Sequence, residues 1–458
     1  MVIVLVLGAL AVLAVVAGLH WYVWRRLVRD TTAGPGLARR TGTAVFVAGP
    51  VLMVAALVAE RSGAPFWLQR ALAWPGFLWM ALALYLLLAV VAGEVARPLL
   101  RRLPPRSAAG RPAPVPVAVP AGAPPVPAQA APREPAPRSA PAAGPPRDTD
   151  LHTDLDTAPD IGPESAPSAR SERVPGPAPS ALPEPSRRLF VSRVVGGAAA
   201  TAAVATAGYG TYGVLRGPRV KRVTVPLAKL PRSAHGFRIA VVSDIHLGPV
   251  LGRGFAQRVV DTVNATQPDL IAVVGDLVDG SVHDLGPAAA PLAQLSARHG
   301  AYFVTGNHEY FSGAEQWVEE VRRLGLRPLE NARTELPGFD LAGVNDVQGE
   351  SEGQGPDFGK ALGDRDPARA CVLLAHQPVQ IHEAVRHGVD LQLSGHTHGG
   401  QLWPGSLLAA AANPTVAGLE RYGDTQLYVS RGAGAWGPPT RVGAPSDITV
   451  VQLASGRI

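Results

Sequence analysis

Hydrophobic and polar positions divide this chain of 458 residues into two very different halves. In the first hundred residues, almost uninterrupted apolar segments run over 2–19, 43–59 and 72–96. Each segment is long enough, as a helix, to cross a hydrocarbon core of about 30 Å. The pattern therefore predicts three transmembrane helices within residues 1–102.

The second half alternates short apolar runs with amphipathic stretches, the pattern of an α/β fold. Five runs rich in Val, Ile and Leu are closed at once by polar residues, as is typical of buried parallel strands. Helices are predicted at 254–266, 285–299, 313–324 and 379–387. Ser312 and Glu315 have the spacing of a capping box for the third of these helices. Further strands, expected to form a second sheet, are predicted at 339–344, 427–430 and 448–453.

A segment of biased composition separates the two halves. Residues 103–186 are dominated by Pro, Ala, Arg, Ser and Gly and have few aromatic side chains. Such a sequence buries too little apolar surface to offset the entropy of the chain, so it is predicted to be a disordered linker. The globular domain is then confined to residues 219–458, the size of one α/β domain.

Charge and cysteine content narrow the classes of partner. The net charge is +6, but its arginines cluster beside the apolar segments and in the linker. From Phe237 onward there are 24 acidic and 16 basic residues, which does not predict binding to nucleic acid. Cys371 is the one cysteine, which excludes an intramolecular disulfide, and its apolar strand predicts an inert thiol in the core.

Arginine-rich flanks predict the orientation of the first three spans. They lie at 25–40 and 97–106, which places both on the cytoplasmic side and leaves the 60–71 loop outside. A cleaved signal peptide is the alternative for the first segment, although the segment has no basic start. The sequence thus predicts a multi-pass protein of the cell membrane.

Residues 187–218 form a fourth weakly apolar segment. Arg187 and Arg188 precede Leu-Phe-Val and a stretch of Ala, Gly, Thr and Val, which resembles a twin-arginine export signal. An ordinary fourth membrane span is the alternative. In the export interpretation, the globular domain lies on the extracytoplasmic face and the segment is either cleaved or kept as an anchor.

The polar residues that close the five strands supply oxygen and nitrogen ligands for metal ions. Because the carboxyl ends of parallel strands meet at one edge of a sheet, we expect these side chains to converge on one edge of one sheet. Each residue alone has the ordinary interpretation of a turn, a helix cap or a core histidine, but the complete set favours a metal site. The set consists of Asp244, His246, Asp276, Asn307, His376, His396 and His398.

In their order, Asp244-x-His246, Gly275-Asp276, Gly306-Asn-His-Glu309, His376 and Gly395-His-x-His398 resemble the calcineurin-like metallophosphoesterases. The resemblance implies a two-sheet αββα sandwich for residues 219–458. The segments 395–401, 428–432 and 436–441 are similar to a bacterial membrane-linked phosphodiesterase branch that includes enzymes cleaving UDP-diacylglucosamine. Val379 stands where that branch often has aspartate.

The same resemblance implies roles for individual residues. Asp244, His246 and His398 would bind one metal ion, Asn307, His376 and His396 a second, and Asp276 would bridge the two. Such ligands suit Mn, Fe or Zn, and two such ions lower the pKa of a bridging water towards neutrality. His308 would donate a proton to the leaving oxygen or stabilise phosphoryl charge. Asp279 either accepts a hydrogen bond from a ligand histidine or caps a helix.

Together these features predict a membrane-tethered phosphoesterase with two divalent metal ions. Its expected substrate is a phosphodiester or pyrophosphate, plausibly of a lipid or envelope precursor, with Asp276 and His308 as catalytic residues. The alternatives are a phosphomonoesterase or phosphoprotein phosphatase, a non-catalytic binding scaffold on the same fold, and a sensor that acts through its membrane spans. The spans have almost no central ionisable residue, which argues against a transport path.

Overall fold

The computed structural model describes residues 2–102 and 187–456 of the chain. The predicted disordered linker at 103–186 lies outside the described residues. The predicted membrane region and the predicted globular domain are both among the described residues, and they belong to one compact unit.

Four long helices, α1 to α4, are long and apolar enough to cross a membrane. Their bounds are Val2–Trp24 (α1), Leu37–Arg61 (α2), Phe66–Arg102 (α3) and Arg187–Leu215 (α4). The first three contain the apolar segments 2–19, 43–59 and 72–96. The fourth begins at the predicted arginine pair, so its length fits the alternative of a fourth span as well as it fits an uncleaved anchor.

Charged side chains gather at one end of this helical bundle. Arg26 forms ion pairs with Asp30 at 3.2 Å and with Glu94 at 3.0 Å, and Arg97 pairs with Glu94 at 3.2 Å. At the same end, Arg193 of α4 donates a hydrogen bond to the Thr31 carbonyl at 3.0 Å. These pairs join α1, α3 and α4 at the end that positive charge predicts to be cytoplasmic.

The globular part contains two six-stranded sheets. The first has the order β1-β12-β2-β3-β4-β5, and the second has the order β10-β11-β9-β8-β7-β6. The strands are Arg219–Leu227 (β1), Arg238–Val242 (β2), Leu270–Val274 (β3), Ala301–Val304 (β4), Arg327–Pro328 (β5), Ala332–Leu336 (β6), Phe339–Gly343 (β7), Ala370–Leu374 (β8), Leu391–Ser394 (β9), Gly418–Tyr422 (β10), Thr425–Val429 (β11) and Asp447–Ser455 (β12). Within the sheets, β2, β3 and β4 are parallel neighbours, and so are β7, β8 and β9.

Seven helices of this part follow or join the strands. They are Arg253–Ala265 (α5), Val282–Ala289 (α6), Asn307–Ser312 (α7), Ala314–Arg323 (α8), Phe358–Leu362 (α9), Ile381–Arg386 (α10) and Gly405–Ala412 (α11). One hydrophobic cluster contains facing residues of both sheets, such as Ile239 and Val372. A second joins the first sheet to α5 and α8 through Phe255 and Trp317. A third joins the second sheet to α9 and α10. The strands that precede the predicted metal ligands are therefore packed within these hydrophobic clusters.

Three sequence predictions about these elements were wrong. The strand predicted at 448–453 belongs to the first sheet, where it pairs with β1 and β2, and not to the second. The helix predicted at 285–299 ends at Ala289 and continues only as the 3₁₀ turn Ala290–Gln294, in which Pro291 lacks the backbone N–H that an α-helix needs. The capping box is absent, because Gly313 adopts a φ of 97° as N-cap and the Ser312 hydroxyl accepts a hydrogen bond from Gly280 N–H.

The membrane helices and the globular part share hydrophobic contacts. Phe66 of α3 packs against the core of the first sheet, and Val214 of α4 is a member of that core. Val250, in the loop after β2, packs against a cluster that contains Phe77 of α3. Tyr85 of α3 donates a hydrogen bond to the Trp403 carbonyl at 3.2 Å. These contacts fix the globular part against α3 and α4.

Helix α11 is apolar but exposed. It has the sequence GSLLAAAA and contains no buried residue, and Leu407 and Leu408 are 70% and 77% exposed. Leu402, just before it, packs against a cluster of the membrane helices that contains Tyr85. The segment just before α11 therefore contacts α3, and the described residues leave Leu407 and Leu408 of α11 largely uncovered.

Candidate metal centre

The predicted ligands meet at the carboxyl ends of strands from both sheets. Asp244, Asp276 and Asn307 follow β2, β3 and β4 of the first sheet, whereas His376 and the His396/His398 pair follow β8 and β9 of the second. The prediction of one edge of one sheet was therefore wrong. The two sheets present their parallel strand ends to the same cleft, and each supplies part of the ligand set.

The backbone turns sharply at most of these positions. Asp244, His246, Asp276, His396 and His398 all have positive φ, between 49° and 72°. For residues other than glycine, such conformations cost about 1–3 kcal/mol and are kept only where the surrounding fold over-determines them. Here the turn that ends each strand directs the side chain into the cleft.

One group of ligand atoms is formed by Asp244, His246 and His398. Nε2 of His246 lies 2.9 Å from Nε2 of His398, and Oδ1 of Asp244 lies 3.4 Å from the same His398 nitrogen. Oδ2 of Asp276 is 3.8 Å from Nε2 of His246. These are the residues assigned by resemblance to the first metal ion.

The second group contains Asp276, His376 and His396. Oδ2 of Asp276 lies 3.1 Å from Nε2 of His376, and Nδ1 of His396 lies 3.1 Å from Oδ1 of Asn307. Asp276 thus contacts ligand atoms of both groups, the position that a bridging carboxylate requires.

Hydrogen bonds fix which ring nitrogen of two histidines faces the cleft. Nδ1 of His376 lies 2.9 Å from the Val274 carbonyl, to which it donates, and Nδ1 of His246 lies 2.9 Å from Oδ1 of Asp279. With both rings neutral, as metal ligation requires, each Nε2 presents its lone pair to the cleft. Burial opposes protonation of His376, but the neighbouring Asp276 outweighs it and raises the pKa of His376 well above its ordinary value. Asp279 makes the contact expected of an acceptor that orients a ligand histidine, and the N-cap of α6 is Ser281 instead.

These residues fit divalent metal ions. Nε2 of His376 is buried without a hydrogen-bond partner, although a carboxylate oxygen lies nearby, and the paired imidazole nitrogens of His246 and His398 point at each other. A cation between these atoms would accept the lone pairs of ring nitrogens that have no good hydrogen-bond partner in the protein. Carboxylate, imidazole and amide oxygen are ligands that suit Mn, Fe and Zn.

Burial and neighbouring charges shift the pKa values of the carboxyl and imidazole groups in the cleft. Burial opposes ionisation of Asp276, but the neighbouring His376, His308 and His246 outweigh it and hold the pKa of Asp276 well below its ordinary value. Burial, together with the charge of His376, lowers the pKa of His396 to about 4. The carboxylate is thus ionised and this imidazole neutral at physiological pH, the protonation states that metal ligation requires.

His308 lies beside both groups, and with His246 and Asp276 it forms a third set of side-chain atoms close enough to hold a metal ion. By the resemblance it has no ligand role. Its Nδ1 is 2.7 Å from Oδ1 of Asp279, and its ring lies between those of Phe311 and Trp436, with centroids at 5.5 and 5.7 Å. Burial alone would lower the pKa of His308, but the hydrogen bond and charge of Asp279 raise it to about 9. The imidazolium can therefore donate a proton to a group bound in the cleft.

Glu309 has a structural role that the sequence analysis did not assign. Its buried carboxylate accepts hydrogen bonds from the N–H groups of Asp276, Leu277 and Gly306 at 2.9, 2.7 and 2.7 Å. It thereby ties the loop after β3 to the loop after β4. The sequence signal was present, since Glu309 is the fourth residue of the Gly-Asn-His-Glu motif.

Arg441 was given no role in the sequence analysis, although it ends the segment 436–441 that carries part of the resemblance. Its buried guanidinium lies 3.0 Å from Nδ1 of His398 and donates to the His398 carbonyl at 3.1 Å. Burial lowers the pKa of His398 well below its ordinary value, and the charge of Arg441 lowers it further. The backbone N–H of Arg441 donates to the Gly210 carbonyl of α4 at 3.3 Å, and Thr440 and Thr211 are joined at 2.8 Å. A membrane helix thus contacts the segment that positions a ligand histidine.

The ligand residues open into a pocket of about 930 Å³. His308, Phe311 and Trp436 line its mouth, together with residues 60–69 at the junction of α2 and α3. The membrane helices therefore contribute one wall of the pocket that contains the candidate metal centre.

Comparison with known proteins places these residues in a described family of sequences. Residues 237–400 match the family model of calcineurin-like phosphoesterases. The chain is 35% identical over 240 residues to an uncharacterised metallophosphoesterase of Aquifex aeolicus, a match that covers 51% of this chain and 91% of that protein.

A second relative is named as a transmembrane protein. A transmembrane protein with metallophosphoesterase domain from Danio rerio is 40% identical over 259 residues, covering 54% of this chain and 59% of the relative. The chain thus spans less than two thirds of that relative's length. A solved dimetal phosphatase from Danio rerio has a TM-score of 0.33 and 13% identity, over 48% of this chain and 93% of its own.

Proposed function

The chain belongs to the calcineurin-like metallophosphoesterase family, and on this premise we propose that it is a membrane-tethered hydrolase of a phosphodiester or pyrophosphate. The observation that carries the proposal is the convergence of Asp244, His246, Asp276, Asn307, His376, His396 and His398 on one cleft. Four of them, Asp276, Asn307, His396 and His398, line the pocket directly. None of the ligand positions implied by the resemblance is missing from the chain. A non-catalytic scaffold would have no need to keep strained backbone at five of these residues.

The ligand residues would hold two divalent metal ions in the arrangement implied by the resemblance, with Asp276 between them. When bound, such a pair activates a water molecule as nucleophile and withdraws charge from the phosphoryl oxygens. His246 and His376 enter this arrangement with their ring orientation already fixed by Asp279 and by the Val274 carbonyl.

His308 acts on the leaving group in this proposal. Water adds to phosphorus, the bond from phosphorus to the leaving oxygen breaks, and the Nε2–H of the His308 imidazolium supplies a proton to that oxygen. Asp279 keeps the ring protonated and in place through its contact with Nδ1. Phe311 and Trp436, which are 66% and 48% exposed, provide an apolar rim for the organic part of the substrate.

Two features support a substrate that is met at the bilayer surface. The pocket is walled in part by the α2–α3 junction, and the exposed apolar helix α11 follows the His396/His398 ligand loop by only a few residues. An apolar helix of this kind favours contact with lipid over contact with water. We propose a lipid-linked phosphoester or an envelope precursor as the substrate, with the pocket on the extracytoplasmic face indicated by the arginine flanks.

The test uses the full-length protein in lipid nanodiscs, stripped of metal and then supplied with Mn, Zn or Fe. Hydrolysis of bis-p-nitrophenyl phosphate and of p-nitrophenyl phosphate is measured in parallel, with Asp276→Ala as the inactive control. Metal-dependent cleavage that favours the diester supports the proposal, and preference for the monoester favours a phosphatase. Two bound metal ions with no cleavage of either compound would favour a binding role, and absence of bound metal would refute the proposal.

A further inference from the structure

The junction of α2 and α3 is a short, internally hydrogen-bonded turn. Helix α2 ends at Arg61 and α3 begins at Phe66. Ala64 N–H donates to the Ala59 carbonyl at 3.1 Å, and Gln69 Nε2 donates to the Ala64 carbonyl at 2.7 Å. These bonds give the turn a defined conformation of its own.

Packing on both sides of the turn holds it over the metal centre. Phe66 contacts the core of the first sheet, and Val250 inserts against the cluster of α2 and α3 that contains Ala73 and Phe77. Val250 lies four residues after the predicted ligand His246, so this contact places the hairpin of α2 and α3 directly beside the ligand loop. The residues of the turn are thereby kept at the pocket wall.

The charges that line the pocket are unevenly divided between its walls. Its carboxylates are those of Glu60, Asp276, Asp279 and Asp284. Among the described residues that line it, Arg61 is the one Lys or Arg, and it comes from the membrane hairpin. The globular wall thus supplies metal ligands, acids and aromatic rings, but no permanently charged cation.

This division has a consequence for anionic substrates. One phosphoryl group of the substrate is accounted for by the metal centre. The His308 imidazolium is assigned to the leaving oxygen. A second anionic group away from His308 would meet the carboxylates of Asp279, Asp284 or Glu60 unless it lies against Arg61, since like charges repel in a partly desolvated site. A guanidinium also offers the paired N–H donors that phosphate and carboxylate groups accept.

We propose that Arg61 is a substrate-binding residue, and that the membrane hairpin supplies a subsite for a second anionic group adjacent to the hydrolysed phosphoryl group. This inference rests on the proposed function and adds to it a recognition site outside the globular domain. Helices α2 and α3 are then part of the substrate pocket as well as of an anchor.

The experiment measures competitive inhibition of bis-p-nitrophenyl phosphate hydrolysis by the full-length protein in nanodiscs. Two competitors share one nucleoside and release no p-nitrophenol: the methyl ester of thymidine monophosphate, with one anionic phosphate, and thymidine diphosphate glucose, with two. The variants are Arg61→Ala and Arg61→Lys. Arg70→Ala is the matched control, because Arg70 is an exposed arginine of the same hairpin and does not line the pocket.

In Arg61→Ala we expect the inhibition constant of the diphosphate to rise about 10- to 100-fold, the range for loss of a hydrogen bond between charged groups. The constant of the monophosphate should change less than about threefold, and Arg61→Lys should restore part of the difference. The inference would be overturned if Arg61→Ala raised both inhibition constants equally, or if its inhibition constant for the diphosphate equalled that of Arg70→Ala. In either case, metal-dependent hydrolysis by the wild-type protein would still support the proposed function. A wild-type protein without metal-dependent hydrolysis would instead remove the proposed function itself.

Thermal unfolding of each variant separates binding from folding. Arg61 is exposed at the end of α2, so its replacement should leave the unfolding midpoint close to that of Arg70→Ala. A carboxylated monophosphate, used as a third inhibitor, distinguishes a second phosphate from a carboxylate as the group that Arg61 prefers.

Discussion

Gly210 of α4 is the position at which a small change in a membrane helix should reach the metal centre. A Cβ atom there would lie 2.7 Å from the Arg441 carbonyl oxygen and 2.8 Å from Cγ2 of Thr440. Ordinary van der Waals contact begins at 3.4 Å, so Gly210→Ala must push α4 and the 440–442 segment apart by about 0.7 Å. The obstacle is partly backbone, which cannot rotate away as a side chain can.

The displacement should act on catalysis through Arg441. Separation breaks the 3.3 Å bond from Arg441 N–H to the Gly210 carbonyl and moves the guanidinium that contacts His398. Overpacking of this kind costs about 1–3 kcal/mol, and a misplacement near 1 Å in an active site can cost about 10²-fold in rate. We expect kcat/KM to fall about 10- to 100-fold, with a loss of bound metal if His398 itself moves.

The assay compares Gly210→Ala with Gly208→Ala in full-length protein, by metal content, kcat/KM for bis-p-nitrophenyl phosphate and the unfolding midpoint. Gly208 lies on the same helix, and a Cβ there would meet no atom within 4 Å. Alanine at that position should stabilise α4 slightly, since glycine is the poorer helix former by about 1 kcal/mol. Equal activity and metal content in the two variants would refute the coupling of α4 to the ligand histidine.

Three further predictions test other parts of the site. His308→Asn should lower kcat about 10²- to 10⁴-fold and leave metal content unchanged. His283→Asn is the control, because His283 is an exposed histidine outside the pocket. Loss of metal in parallel with loss of activity would assign His308 a ligand role instead. In metal-stripped protein, the folded-state pKa of His308 is raised from 6.5 to about 9, so the stability that this group contributes is complete below pH 6.5 and is lost as the pH rises through 9. The unfolding midpoint should therefore fall over this pH range in wild type and fall less in His308→Asn. Equal dependence of the midpoint on pH in the two proteins would contradict the assignment. Leu408→Asp on α11 should reduce hydrolysis of a lipid-linked phosphoester in vesicles about 10- to 100-fold without changing that of soluble bis-p-nitrophenyl phosphate, and an equal effect on both would show that α11 supports the fold and does not contact lipid.

The ligand positions were open to prediction because each one closes an apolar run. A single polar residue at the end of a buried strand, such as Asp276 after Leu270–Val274, also fits an ordinary turn, and it is the complete set at five strand ends that predicts a metal site. The sheet to which each strand belongs was not open to prediction in the same way. Alternation in β12 is the same whichever sheet it joins, and only its pairing with β1 and β2 decides the question. The same lack of information about strand pairing is why the sequence predicted the ligands on one sheet, whereas they lie on two.

Contacts between distant segments account for the remaining omissions. Arg441 and His398 are 43 residues apart, and an isolated arginine before Val-Gly has no pattern that indicates its partner. Arg61 belongs to a predicted loop between two spans, which by itself indicates only the side of the membrane. The prolines of the predicted helix were visible in the sequence but their effect was not, since Pro287 lies inside α6 whereas Pro291 lies in the 3₁₀ turn that follows it.

The contact between Tyr85 and Trp403, with α11 lying exposed beside it, sets the height of the pocket relative to the membrane helices. With the proposed lipid-linked substrate, an enzyme held in this way would sample its substrate in two dimensions, so its rate would follow the mole fraction of substrate in the lipid and not the bulk concentration. Adding inert lipid at constant total substrate would slow the reaction by surface dilution. Headgroups too short or too long to present their phosphate at that height would escape hydrolysis, which makes distance from the bilayer a selectivity filter in its own right.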